Sequence, residues 1–127
     1  MVIPALGKGR YEYLKQQIIG KRLGDGKHKV DFIVWKEGSK RILVSMKWQQ
    51  VGGTAEQKVP FEMICLINAI QEHTDLYEKA YIVMGGNGWK LRDKYIQGEL
   101  STYINGSSLV TLINLEDFVR LVNQGRL

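Results

Sequence analysis

The chain has 127 residues, 44% of them hydrophobic, with three Trp, six Tyr and three Phe. These values predict one domain over residues 1–127 with a single core, and exclude a disordered or fibrous protein. The formal charge of +5 at pH 7 suits a polyanionic partner without requiring one. No apolar run reaches the ~18 residues of a membrane span and no signal-peptide pattern is present, so no membrane association is expected. The single Cys65 cannot form an internal disulfide. It lies in an apolar stretch, reads as a small buried hydrophobe, and fits a reducing, cytoplasmic setting. His28 and His73 show no zinc-ligand spacing with it.

Met1 to Arg10 contains Pro4, Gly7 and Gly9 and reads as an irregular lead-in. Tyr11 to Ile19 reads as a helix with Tyr11, Leu14 and Ile18 on one side, ended by Gly20 or Gly24. Leu23 to Lys29 is a polar loop in which Asp25-Gly26 marks a turn. A hairpin follows, Val30–Trp35 and Arg41–Trp48, turning at Glu37-Gly38-Ser39. On its second strand Leu43, Ser45 and Lys47 share one face, and Ile42, Val44, Met46 and Trp48 the other. Lys47 is therefore a cation among apolar neighbours, with Asp31 expected close by. It needs solvent or an anionic partner.

Gln49 to Thr54 reads as a loop in which Gly52-Gly53 permits close approach of a ligand or another chain. Pro60 fits the first turn of a helix running to about Glu72, with Phe61, Ile64, Cys65, Asn68 and Ala69 along one side and heavily buried. Ala80–Met84 is a continuously apolar run expected to be a buried central strand. Gly85-Gly86-Asn87-Gly88-Trp89 follows it and lacks the spacing of a P-loop or dinucleotide fingerprint, so no small-molecule cofactor is expected. Arg92–Tyr103 reads as a polar helix, and Lys90, Arg92 and Lys94 offer a basic surface. Leu109–Ile113 is the last strand. Asn114 caps a final helix, Leu115–Asn123, with Glu116 and Asp117 in its first turn and Gly125 beyond its end. The element order αββαβαβα predicts an α/β fold: a mixed central sheet with helices on both faces.

The run Val30-Asp31, Ser45-Met46-Lys47 and the continuation Trp48 to Pro60 resemble the PD-(D/E)XK phosphodiesterases, the restriction-endonuclease-like superfamily. Val30 stands in place of the motif's Pro and Ser45 in place of its second acid. The resemblance implies a three-layer α/β/α core and a DNA endonuclease using Mg²⁺ or Mn²⁺ on duplex or branched DNA. It implies Asp31 as main metal ligand, the Met46 carbonyl as a second, and Lys47 as catalytic lysine. Glu12 is a further metal-ligand candidate. A serine is a weak Mg²⁺ ligand, which leaves three readings. The acid comes from elsewhere, with Glu56, Glu62 and Glu12 as candidates and Glu56 favoured; or the site works depleted; or the chain is inactive.

Gln49, Gln50, Gly52, Gly53, Lys58 and Lys90 are candidate nucleic-acid contacts. A homodimer is expected because a two-strand cut needs two sites, with a tetramer as the larger possibility. A Holliday-junction resolvase is the close alternative, and a catalytically depleted DNA-binding module a further one. In a protein-interaction domain, Asp31 and Lys47 would be merely a buried ion pair.

Overall fold

A computed structural model describes residues 1–22, 24–50 and 55–127. Its elements are α1 (Val2–Lys8), β1 (Glu12–Lys21), β2 (Lys27–Trp35), β3 (Arg41–Trp48), α2 (Ala55–Glu72), β4 (Tyr77–Gly85), α3 (Arg92–Ile96), β5 (Val110–Asn114) and α4 (Leu115–Asn123). Two short 3₁₀ turns, Glu99–Thr102 and Ser107–Leu109, bridge α3 and β5. The sheet order is β1-β2-β3-β4-β5. The β1–β2 and β2–β3 pairs are antiparallel, and the β3–β4 and β4–β5 pairs parallel. The class is therefore α/β with a mixed sheet, as expected.

Helices cover both faces. On one, α2 packs its Val59, Met63, Leu66 and Ile70 against Leu43, Ile82, Met84 and Leu112. On the other, α1 and α4 contribute Leu6, Phe118 and Val122 against Val44, Tyr81 and Val83. Strands covered on both sides need apolar residues at successive positions, which is why β4 lacks alternation. The Asn114 side chain accepts from the Asp117 backbone N–H at 2.8 Å, capping α4 as its sequence requires. Among the described residues no helix is long and apolar enough to cross a membrane.

Several expectations are corrected. Tyr11–Ile19 is not a helix: Glu12–Lys21 is the edge strand β1, hydrogen-bonded to β2. The three-and-four spacing of Tyr11, Leu14 and Ile18 imitates a helical face, but Leu14 and Ile18 are exposed. Pairing with the hairpin strand decides the conformation. The lead-in is instead the helix α1, with Pro4 in its first turn, where a missing N–H costs nothing. Arg92–Tyr103 is broken at Gly98, whose φ is +88°, into α3 and a 3₁₀ turn. The observed order is thus αβββαβαβα, with five strands.

Helix α2 starts at Ala55, so Pro60 lies inside it rather than in its first turn. A proline removes the N–H that would bond the carbonyl four residues back. That carbonyl belongs to Glu56, and it accepts instead from the Tyr95 hydroxyl at 2.8 Å. The buried side of α2 is also rotated from the expected one. Val59, Glu62, Met63, Leu66 and Ile70 face inward, whereas Phe61 and Ile64 are exposed. Cys65 is buried, as expected.

Candidate active site

Strand alternation places Ser45 and Lys47 on the α2 side of β3, and α2 answers with Glu62. The Glu62 carboxylate accepts from the Ser45 hydroxyl at 2.7 Å and from Lys47 Nζ at 3.3 Å, both at Oε2. Its Oε1 lies 2.5 Å from His28 Nε2, on β2. Ser45, His28 and Glu62 are 1%, 4% and 8% exposed. A carboxylate this deep survives because each oxygen has a partner. Burial alone would raise its pKa. The hydrogen bonds from His28 and Ser45 and the charges of Lys47 and His28 outweigh that and hold it at about 2. Glu62 is a fixed anion at any working pH.

Asp31 enters from the neighbouring strand β2. The β2–β3 ladder runs through Phe32↔Val44 and Val34↔Ile42. Just beyond its last pair, Asp31 Oδ2 accepts the Met46 backbone N–H at 2.7 Å, filling the gap as the strands separate. The β1–β2 register puts Gln16, with φ +56°, opposite Asp31. The strand pair therefore deforms at the acid. Asp31, from the adjacent strand, and Glu62, from the helix above the sheet, meet the consecutive residues Met46 and Ser45. Lys47 pairs with Glu62 and not with Asp31. Among the described residues no Asp31–Lys47 ion pair exists; Asp31 instead bonds the backbone of Met46, next to Lys47.

The remaining candidates separate. Glu12 lies on β1 opposite Trp35, about 13 Å along the strand from the residue facing Asp31. It stands outside the site, because its segment is an edge strand rather than a helix leaning on the sheet. Glu56 is also turned away. Its Oε1 accepts the backbone N–H groups of Lys90 and, at 2.9 Å, Leu91.

Gln49 is buried, and its amide is spent within the chain. It donates to the Gly88 carbonyl at 2.8 Å and accepts from the Glu56 N–H at 3.1 Å. It braces the glycine loop and is not presented to a ligand. Gln50 is exposed and accepts from the Trp48 indole at 3.0 Å. Gly52 and Gly53 lie outside the described residues. Lys58 lines a cleft with Lys47, and Lys90 is exposed beside the glycine loop.

The His28–Glu62 contact has no local signal in the sequence, since the two residues are 34 positions apart. Glu62 carried a signal: it is an acid in an otherwise apolar helical stretch, which must be paired if buried.

Oxygen donors suit Mg²⁺ and Mn²⁺. The donors here are the Asp31 and Glu62 carboxylates, the Ser45 hydroxyl and the Met46 carbonyl, so the chemistry of the set fits such an ion. The negative charge comes from two carboxylates. Among the described residues no group of three or more His, Cys, Asp or Glu forms a metal cluster.

A crystal structure described as that of a protein of unknown function, AF1548, superposes with a TM-score of 0.53 at 13% identity. It is matched by 90% of this chain, which spans 54% of that chain's length; the likeness is one of fold. No curated protein sequence matches significantly. The family model of the PD-(D/E)XK nuclease superfamily domain matches residues 2–126. Its members generally use divalent metals. With the three-layer fold and the Asp31, Ser45-Met46-Lys47 hairpin in place, the chain belongs to the PD-(D/E)XK nuclease superfamily.

Proposed function

We propose that this domain is a metal-dependent DNA endonuclease whose active site is Asp31, Glu62 and Lys47. The observation that carries this reading is the Glu62 carboxylate, delivered from α2 to Ser45 Oγ and Lys47 Nζ. It supplies, from a helix, the charge that Ser45 does not supply from the strand. A hydrolysed phosphodiester needs its charge offset, a water activated and the leaving oxygen stabilised.

Asp31, the Met46 carbonyl and Glu62 are the residues that would hold Mg²⁺ or Mn²⁺. When bound, such an ion offsets phosphate charge and eases deprotonation of the attacking water. Lys47, whose side chain is partly open to solvent, is oriented by Glu62 Oε2. It presents its ammonium group to the scissile phosphate, neutralising charge that grows in the transition state. Ser45 donates to Glu62 and fixes its rotamer. Asp31 holds β3 through the Met46 N–H, which sets the Met46 carbonyl and the Lys47 side chain relative to it. A homodimer would place two such sites on the two strands of one substrate.

A depleted DNA-binding module is supported by one specific observation. Both Glu62 oxygens are already occupied within the chain. The experiment that separates the two readings incubates the protein with supercoiled plasmid and with a labelled four-way junction, in Mg²⁺ and in Mn²⁺. Lys47→Ala, Glu62→Gln and Ser45→Glu run alongside. The endonuclease reading expects cutting that Lys47→Ala and Glu62→Gln abolish, and the better substrate distinguishes endonuclease from resolvase. Cutting by Ser45→Glu alone would identify a depleted scaffold. No cutting by any variant and no salt-sensitive binding would remove nucleic acid from the account.

A further inference from the structure

Phe61 takes no part in the chemistry above and none in the core. It is 43% exposed. On α2 it stands in the stripe Lys58, Phe61, Glu62, Cys65, whose spacing puts all four on one side of the helix. That side lines a cleft of about 260 Å³. Residues 27–29 of β2 form the far wall, with His28 turned inward, and Arg22 and Lys47 also line it. Three cations, Arg22, Lys47 and Lys58, thus share the cleft with one carboxylate, Glu62, and one exposed phenyl ring.

The two halves of this lining ask for different things. The cations call for phosphate oxygens. The ring is apolar surface left in water in the wall of a charged cleft, where a flat partner would cover it. A nucleotide meets both demands, with an aromatic face joined to phosphates. In an intact duplex, that face is already covered by its stacked neighbours. Only an unpaired or displaced base can reach the ring.

We propose that this cleft receives one unpaired nucleotide of the substrate, its base stacked on Phe61 and its phosphates held by Lys58 and Arg22. This rests on the nuclease reading for the Lys47–Glu62 end of the cleft, and it specifies the substrate as DNA bearing a bulge, flap or branch.

The test measures binding of the full chain to three labelled oligonucleotides, in Ca²⁺. They are a perfect duplex, the same duplex with a one-nucleotide bulge, and that bulge made abasic. Stacking predicts about tenfold tighter binding of the bulged duplex than of the perfect one. The abasic bulge and the Phe61→Ala variant should each lose that preference. Phe61→Trp should keep it, with indole emission quenched on binding. Phe61 is exposed, and circular dichroism checks that Phe61→Ala remains folded. Equal, salt-sensitive affinity for all three DNAs would overturn the nucleotide cleft and leave the nuclease reading standing. So would a Phe61→Ala variant that keeps the preference while changing only oligomeric state. No salt-sensitive binding to any DNA would overturn both.

Discussion

Glu62→Gln keeps the shape of the side chain and removes its charge. The folded-state pKa is held at about 2 against an ordinary 4.5. At ~1.36 kcal/mol per pH unit, that lowering corresponds to about 3 kcal/mol of stability at neutral pH. Because the folded pKa is depressed, the contribution is complete above about pH 4.5. It declines as pH falls and is gone below about pH 2. Urea denaturation of the parent chain and Glu62→Gln, in a chelator and across pH 3 to 7, reads the difference directly. The expected gap is about 3 kcal/mol at pH 7, falling by more than half at pH 3. Other carboxylates titrate in both proteins and cancel in the comparison. A gap that stays constant from pH 7 to pH 3, or one below about 1 kcal/mol at pH 7, would refute the claim that Glu62 is a stabilised buried anion. Its role in holding Ser45 and Lys47 would fall with it.

Four further outcomes follow from particular contacts. His28→Ala removes the partner of Glu62 Oε1 and should cost about 2–3 kcal/mol in urea melts, with a higher metal requirement for cutting. Tyr95→Phe strands the Glu56 carbonyl that Pro60 leaves free. It should cost about 1 kcal/mol, and less in a Pro60→Ala background, where the helix regains its own donor. Gly86 has φ +91°, and a Cβ there would lie 2.4 Å from the Gln49 carbonyl oxygen. Gly86→Ala should therefore destabilise by at least about 2 kcal/mol and loosen the glycine loop in hydrogen exchange. Phe118 is fully buried, with its ring edge-on to Tyr81 at 5.6 Å, and Phe118→Ala should cost about 3–5 kcal/mol.

Much of the fold was legible where local signals act alone. The hairpin, the continuous apolar run of β4 and the Asn114 cap each follow from turn chemistry, burial pattern or capping within a few residues. The faces of Ser45 and Lys47 were legible for the same reason, since strand alternation assigns them without reference to the rest of the chain. Where competition between distant segments decides, sequence alone falls short. Tyr11–Ile19 satisfies a helical spacing, yet β2 has an unpaired edge, and filling it satisfies the backbone donors of both strands. On α2, only Glu62 and Asn68 are polar between Val59 and Ile70, so composition could not orient that stretch. The facing surface of the sheet, with Ser45, Lys47 and His28 needing a partner, selects Glu62 to turn inward and leaves Phe61 outside.

Residue type and spacing determined that this chain has an α/β sheet fold with an acid and a lysine on neighbouring strands. Only the tertiary structure decided which of the three candidate glutamates pairs with the lysine. A buried charge is stable only where its hydrogen-bond partners converge, and here those partners come from β2 and β3, 34 and 17 residues before Glu62 in the chain.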